Sequence, residues 1–221
     1  MMPLISGLYL ITDRKISGID HEDMAAMALK GGVRTIQLRE KEMTENELLR
    51  VALKLREETR RWNARLIIND NVHIARDSDA DGVHLGQEDL PIEAARKILG
   101  SAKIIGVSTH NINEAVEAQS YGADYIGLGP IFQTETKNTQ PPLGTELIRE
   151  VKRKVGIPVV AIGGINLYNL FKVIEAGADA VAVLSAIAGS KNITEEVKKF
   201  IEKFDNITIK SCSLSAIKEE G

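Results

Sequence analysis

Short apolar runs alternate with longer amphipathic stretches along nearly the whole chain, and this alternation restricts the fold more than any other feature. Strands are predicted at Leu8–Thr12, Thr35–Arg39, Leu66–Asn69, Gly82–Leu85, Ile104–Val107, Tyr125–Leu128, Val159–Ile162 and Ala180–Leu184. Helices are predicted at His21–Lys30, Thr44–Trp62, Val72–Arg76, Ile92–Leu99, Ile112–Tyr121, Thr145–Lys154, Leu167–Ala176 and Thr194–Phe204. Runs such as Val159-Val160-Ala161-Ile162 are apolar throughout, as parallel strands covered on both faces require. Eight strand–helix pairs in 221 residues imply an α/β protein of one domain, a (β/α)8 TIM barrel, with a doubly wound open sheet as the alternative. The barrel is expected to occupy residues 1–204, leaving 205–221 as a tail of unassigned structure. Tyr121-Gly122-Ala123-Asp124 and Ala176-Gly177-Ala178-Asp179 repeat one phrase, whose glycine suits a helix end before the next strand.

Composition narrows the function classes. The 28 Lys+Arg and 31 Asp+Glu leave a net charge of −3, and aromatic residues make up 4%. Neither a basic field nor a stacking surface is present, so nucleic-acid binding is not expected. The single cysteine, Cys212, cannot form an intramolecular disulfide or a CxxC site, which suits a reducing compartment. The first residues lack a basic stretch followed by an apolar one, and no run of about 18 apolar residues occurs. A cytoplasmic protein with no membrane partner is expected; barrels of this size occur both alone and as dimers, so a homodimer is open.

In such a barrel the loops after the strands line the functional face. The second strand runs into Gln37-Leu38-Arg39-Glu40-Lys41, two cations at the rim, suited to a polyphosphate or to solvent. Asn69-Asp70-Asn71 follows the third strand and Asp89 the fourth. Each aspartate can cap a helix, or the two can share one cation across adjacent loops, with open positions for phosphate oxygens that suit Mg2+. His84 reads as a packing residue within a strand, and Ser108 as a substrate contact or a cap. The longest rim loop, residues 129–144, carries Thr134, Thr136 and Lys137, the composition of a binding loop or lid. Gly163-Gly164-Ile165 after strand seven and Leu184-Ser185 running into a helical turn after strand eight form the expected phosphate cup. Two anion sites follow from this layout. No Ser-His-Asp order, P-loop or GxGxxG competes with them.

The strings QLREK (37–41), IND (68–70), DGVHLGQED (81–89), GVSTH (106–110), GADYIGLGPIFQTETK (122–137), AIGGI (161–165) and the pair Leu184-Ser185 together resemble the thiamine phosphate synthase family. The likeness runs from about residue 8 to about 204, and its motifs fall in order at successive strand ends. It implies a transferase that joins 4-amino-5-hydroxymethyl-2-methylpyrimidine diphosphate to 4-methyl-5-(2-hydroxyethyl)thiazole phosphate, giving thiamine phosphate and pyrophosphate. By that resemblance Gln37, Arg39, Lys41, Asn69, Ser108 and Lys137 hold the pyrimidine and its diphosphate, with Arg39, Lys41, Lys137 and Ser108 as the catalytic set. Leu38, Glu40 and Glu135 complete the substrate-binding loops. Asp70 and Asp89 would carry Mg2+, and Thr134, Thr136, Gly164, Leu184 and Ser185 would receive the thiazole phosphate. The implied partners are these two small phosphorylated substrates. A related barrel, a thiazole tautomerase-like isomerase, is the rival reading, kept open by His110; a non-catalytic thiazole phosphate sensor is another.

Overall fold

The structure, a computed structural model, describes residues 5–134 and 141–219, with side chains through residue 209. Eight parallel strands close into a barrel in sequence order: β1 (Gly7–Thr12), β2 (Thr35–Leu38), β3 (Arg65–Asn69), β4 (Gly82–Leu85), β5 (Ile104–Thr109), β6 (Tyr125–Leu128), β7 (Val159–Ile162) and β8 (Ala180–Val183). β8 returns to pair with β1, Gly7 opposite Ala180 and Leu10 opposite Val183, so the open-sheet alternative is excluded. The helices are α1 (Arg14–Ser17), α2 (His21–Gly31), α3 (Glu45–Arg61), α4 (Val72–Asp77), α5 (Ile92–Leu99), α6 (Ile112–Ser120), α7 (Glu146–Lys152), α8 (Leu170–Glu175), α9 (Ser185–Ala188) and α10 (Ile193–Glu219). Among the described residues, no helix is long and apolar enough to cross a membrane.

Local chemistry accounts for these boundaries. Thr44 and Glu47 form a reciprocal cap at the start of α3, whose inner face buries Leu48, Val51, Ala52 and Leu55. Asn71 and Asn111 cap α4 and α6 in the same direct way, each side-chain oxygen accepting a first-turn N–H. α8 starts at Leu170, later than its apolar pattern suggests, because Asn166 Oδ1 accepts from the N–H groups of Tyr168 and Asn169 and holds a turn there. The tail left unassigned by the sequence continues α10 to Glu219. No glycine or proline interrupts residues 193–219, and Phe200, Phe204 and Ile207 carry the helix along the core.

The strands bury two cores. Outward-facing residues such as Leu10, Ile36, Leu66 and Val181 pack under the helices. Inward-facing Tyr9, Ile67, Ile104, Tyr125, Val160 and Ala180 fill the barrel itself. Three aspartates tie the strand starts together at the lower rim. Asp81 exchanges two bonds with Leu66, donating its N–H to the Leu66 carbonyl at 2.9 Å and accepting the Leu66 N–H on Oδ2 at 2.8 Å. Asp124 does the same with Ile105, and Asp179 with Val159. Each carboxylate also meets a cation from the helix that leads into the odd-numbered strand: Arg56 at 2.6 Å, Arg96 at 2.6 Å and Lys152 at 2.7 Å. The repeated Gly-Ala-Asp phrase is therefore a strand clasp as well as a helix stop. Before β2 the corresponding residue is Arg34, and no such clasp forms.

Asp124→Ala should cost about 2 kcal/mol in urea unfolding, because it leaves the Ile105 N–H without its acceptor and Arg96 without its carboxylate. Asp124→Asn should cost less, its amide oxygen still accepting that N–H. Arg34→Ala should stay within about 0.5 kcal/mol of the parent.

Candidate functional site

The carboxyl ends of the strands surround an open cavity. Its lining joins two groups of residues. Gln37, Arg39, Asn69 and Ser108 project from the ends of β2, β3 and β5, while Thr134, Gly163, Gly164, Leu184 and Ser185 lie at the ends of β6, β7 and β8. Ile11, Val160, Ile162 and Ile165 supply apolar wall between them. The predicted cup residues and Arg39 thus meet in one space, while Lys41, Asp70 and Asp89 lie outside its lining, Asp89 on a neighbouring groove with Gly86, Gln87 and Glu114.

The β2 rim is held by charge. Arg39 forms an ion pair with Asp13, a buried residue that also caps α1. Lys41 forms another with Asp70, and Asp70 in turn faces Asp89. Burial and the neighbouring Asp70 carboxylate push the Asp89 carboxyl above its ordinary value, although the Gly86 N–H, 2.6 Å from its Oδ2, works in the other direction. Asp70 sits at φ 61°, a conformation unusual for a side-chain-bearing residue, which directs it off the end of β3. Two facing carboxylates beside one lysine fit a divalent cation that takes its remaining ligands from a bound phosphate. Among the described residues no cluster of three or more metal-ligating side chains occurs, so a cation here would depend on ligand oxygens.

Glu40 turns away from the cavity. Its Oε1 accepts the N–H groups of Lys41 and Glu42 at 2.6 and 2.7 Å, and its Oε2 lies 3.2 Å from His21 Nε2. These contacts hold its carboxyl below the usual glutamate value against the opposing effect of burial. Glu40 therefore shapes the loop that presents Arg39 and Lys41. Leu38 is buried among the helices' apolar side chains and supplies packing at the same turn.

At the turn after β7, the expected phosphate cup, Gly163 and Gly164 take φ 97° and 64°. A Cβ on Gly164 would lie 2.4 Å from the Gln133 carbonyl, so only glycine lets the two loops approach. Across the gap, the first-turn N–H groups of α9 at Ser185 and Ala186 have no preceding turn to bond. Glu135, Thr136 and Lys137 lie outside the described residues.

Several lining residues carried no sequence signal of their own. Tyr9 and Tyr125 touch through their hydroxyls at 2.9 Å inside the barrel, and His84 reaches both Tyr125 and Ser108. Glycines inside strands were the available clue, since they mark close approach. A Cβ on Gly106 would lie 2.0 Å from the Tyr125 ring, and one on Gly127 2.9 Å from His84 Cε1. His110 also lines the cavity, its Nδ1 2.9 Å from Glu114.

A family model described as thiamine monophosphate synthase matches residues 8–187. A thiamine-phosphate synthase of Methanospirillum hungatei is 46% identical over 198 residues, covering 89% of this chain and 96% of its own. One from Clostridium acetobutylicum is 46% identical over 194 residues, covering 86% and 91%. Among solved structures, a thiamine phosphate pyrophosphorylase of Pyrococcus furiosus superimposes with a TM-score of 0.85 at 38% identity, covering 91% of this chain and 96% of that one.

Gly164→Ala should force the Gln133 and Phe132 backbone outward. Calorimetric titration with a small phosphate monoester should show at least a tenfold loss of affinity relative to the parent; unchanged affinity would place the anion elsewhere.

Proposed function

The chain belongs to the thiamine monophosphate synthase family, and on that premise we propose that it joins the pyrimidine diphosphate to the thiazole phosphate, with release of pyrophosphate. The observation that carries this reading is one cavity into which Arg39 with the polar ends of β2, β3 and β5 and a glycine-built β7–β8 cup both open. A one-substrate isomerase has use for only the second half.

The reaction breaks the bond between the pyrimidine methylene carbon and the diphosphate oxygen, and the electron pair leaves with pyrophosphate. The thiazole nitrogen then gives its lone pair to that carbon, forming the new C–N bond. No protein nucleophile is required, so the chain's work is to neutralise, position and exclude water. Arg39, oriented by Asp13, faces the departing diphosphate, with Lys41 beside it on Asp70. Lys137 joins them in this reading, on the strength of its place in the rim loop. Gln37, Asn69 and Ser108 hold the pyrimidine ring. Gly164, Leu184, Ser185 and Thr134 receive the thiazole phosphate, with Glu135 and Thr136 on the same loop. The apolar wall of Ile11, Val160, Ile162 and Ile165 keeps water from the electron-poor methylene carbon.

Asp70 and Asp89 are the residues that would hold Mg2+. When bound, the ion supplies charge neutralisation to the leaving diphosphate. Composition supports a cytoplasmic setting for this chemistry.

The test is a paired-substrate assay that follows pyrophosphate and thiamine phosphate, omitting each substrate and Mg2+ in turn. Stoichiometric products that require all three are expected. Asp70→Ala and Asp89→Ala should each lower turnover roughly 100-fold. The His110–Glu114 pair favours one competing reading, proton transfer within a thiazole phosphate carboxylate. Isomerisation of that compound without pyrophosphate release in the paired assay would replace the synthase reading.

A further inference from the structure

A row of hydrogen-bonded side chains crosses the barrel beneath the cavity. Gln37 Nε2 donates to the Tyr9 hydroxyl at 2.9 Å, and the Tyr9 and Tyr125 oxygens are 2.9 Å apart. Tyr125 lies 2.9 Å from His84 Nδ1, and His84 Nε2 lies 2.9 Å from Ser108 Oγ. The row takes one residue from each of β2, β1, β6, β4 and β5, and the glycines at 106 and 127 leave the space it fills. The reaction described above uses its two ends and none of its three middle members.

The donors along the row can be ordered. Both phenols are fully buried, and burial holds their pKa values well above the ordinary tyrosine value, so each keeps its proton. Tyr9 already accepts from Gln37. If Tyr125 also donated to Tyr9, the Tyr9 proton would be left buried without an acceptor, which native interiors avoid. The Tyr9 proton therefore goes to Tyr125, the Tyr125 proton to His84 Nδ1, and the His84 Nε2–H to Ser108 Oγ. The two ends are set together. Gln37 turns its carbonyl oxygen to the cavity as an acceptor, while Ser108, already accepting from His84, turns its own proton there as a donor.

We propose that Tyr9, Tyr125 and His84 are positioning residues that fix this polarity, and so make the site select a 4-aminopyrimidine over the corresponding 4-oxopyrimidine. The amino group meets a carbonyl at Gln37, and a ring nitrogen lone pair meets the Ser108 proton. The oxo compound sets a carbonyl against a carbonyl. A site with such fixed partners discriminates far more strongly than one whose groups can turn to suit either ligand. This inference rests on the reading that Gln37 and Ser108 hold the pyrimidine.

The closing experiment has two parts. Nitrogen-15 NMR of histidine in the intact protein, with His84→Gln to assign the signal, should show protonated Nε2 and an accepting Nδ1 at His84; a protonated Nδ1 with an accepting Nε2 overturns the polarity whatever the activity proves to be. Kinetics then compare kcat/KM for the 4-amino diphosphate and its 4-oxo analogue in the parent, Tyr125→Phe and Tyr9→Phe. Each folded variant should lower the amino-to-oxo ratio at least tenfold, with the oxo analogue gaining. Thermal unfolding identifies which variants are folded, and His84→Gln provides a third break in the row. An unchanged ratio in the folded variants overturns the positioning role. Ser108→Ala and Gln37→Ala separate the two readings: if neither changes KM for the pyrimidine diphosphate, the placement of the ring fails, even where the His84 signal is as expected.

Discussion

Closing eight parallel strands on themselves forces every carboxyl end to one rim and every amino end to the other. Much else in the molecule follows from that constraint. Residues at the strand ends are brought to a common mouth, where Gln37 and Ser185, 148 positions apart in sequence, line the same cavity. The opposite rim is free to carry purely structural devices, and the Asp81, Asp124 and Asp179 clasps sit there. Chemistry and mechanical support are separated by the length of a strand.

The fold was legible because its signals are local and repeated. Tyr125–Leu128 and Val159–Ile162 are apolar runs with helix-ending glycines before or after the adjacent helices, and they form strands at the predicted positions. Boundaries shifted where a side chain intervened. Asn166 delays α8, and the absence of any breaker after Ile193 lets α10 run on past Phe204. The Gly-Ala-Asp phrase was visible as a repeat, but its aspartate's partner is a backbone N–H on the preceding strand, 19 residues earlier for Asp124 and 20 for Asp179, which sequence periodicity does not encode.

The site was legible in part. Cations and carboxylates at strand ends announce themselves by position, and Lys41, Asp70 and Asp89 do converge. Residues that act through others do not. Asp13 orients Arg39 from the loop after β1, and Glu40 braces the β2 loop from within its own motif. Tyr9, Tyr125 and His84 occupy strand positions that packing alone would explain, and their hydroxyl and imidazole partners lie across the barrel. Only the in-strand glycines at 106 and 127 hint that something large enters the interior there.

The pairing of β1 with β8 has a consequence for how this chain must be made. The first strand finds its second neighbour only after residue 183 has left the ribosome, so throughout synthesis one of its edges lacks a partner. An unpaired apolar edge is a template for association with other chains. The final seal also comes late: Val197 on α10 sits where Gly31 of α2 has no side chain, and Thr194 bonds to the Met27 carbonyl at 2.8 Å. β1 and β8 are the two lips of one seam, and the nascent chain is exposed there until α10 presses down over it.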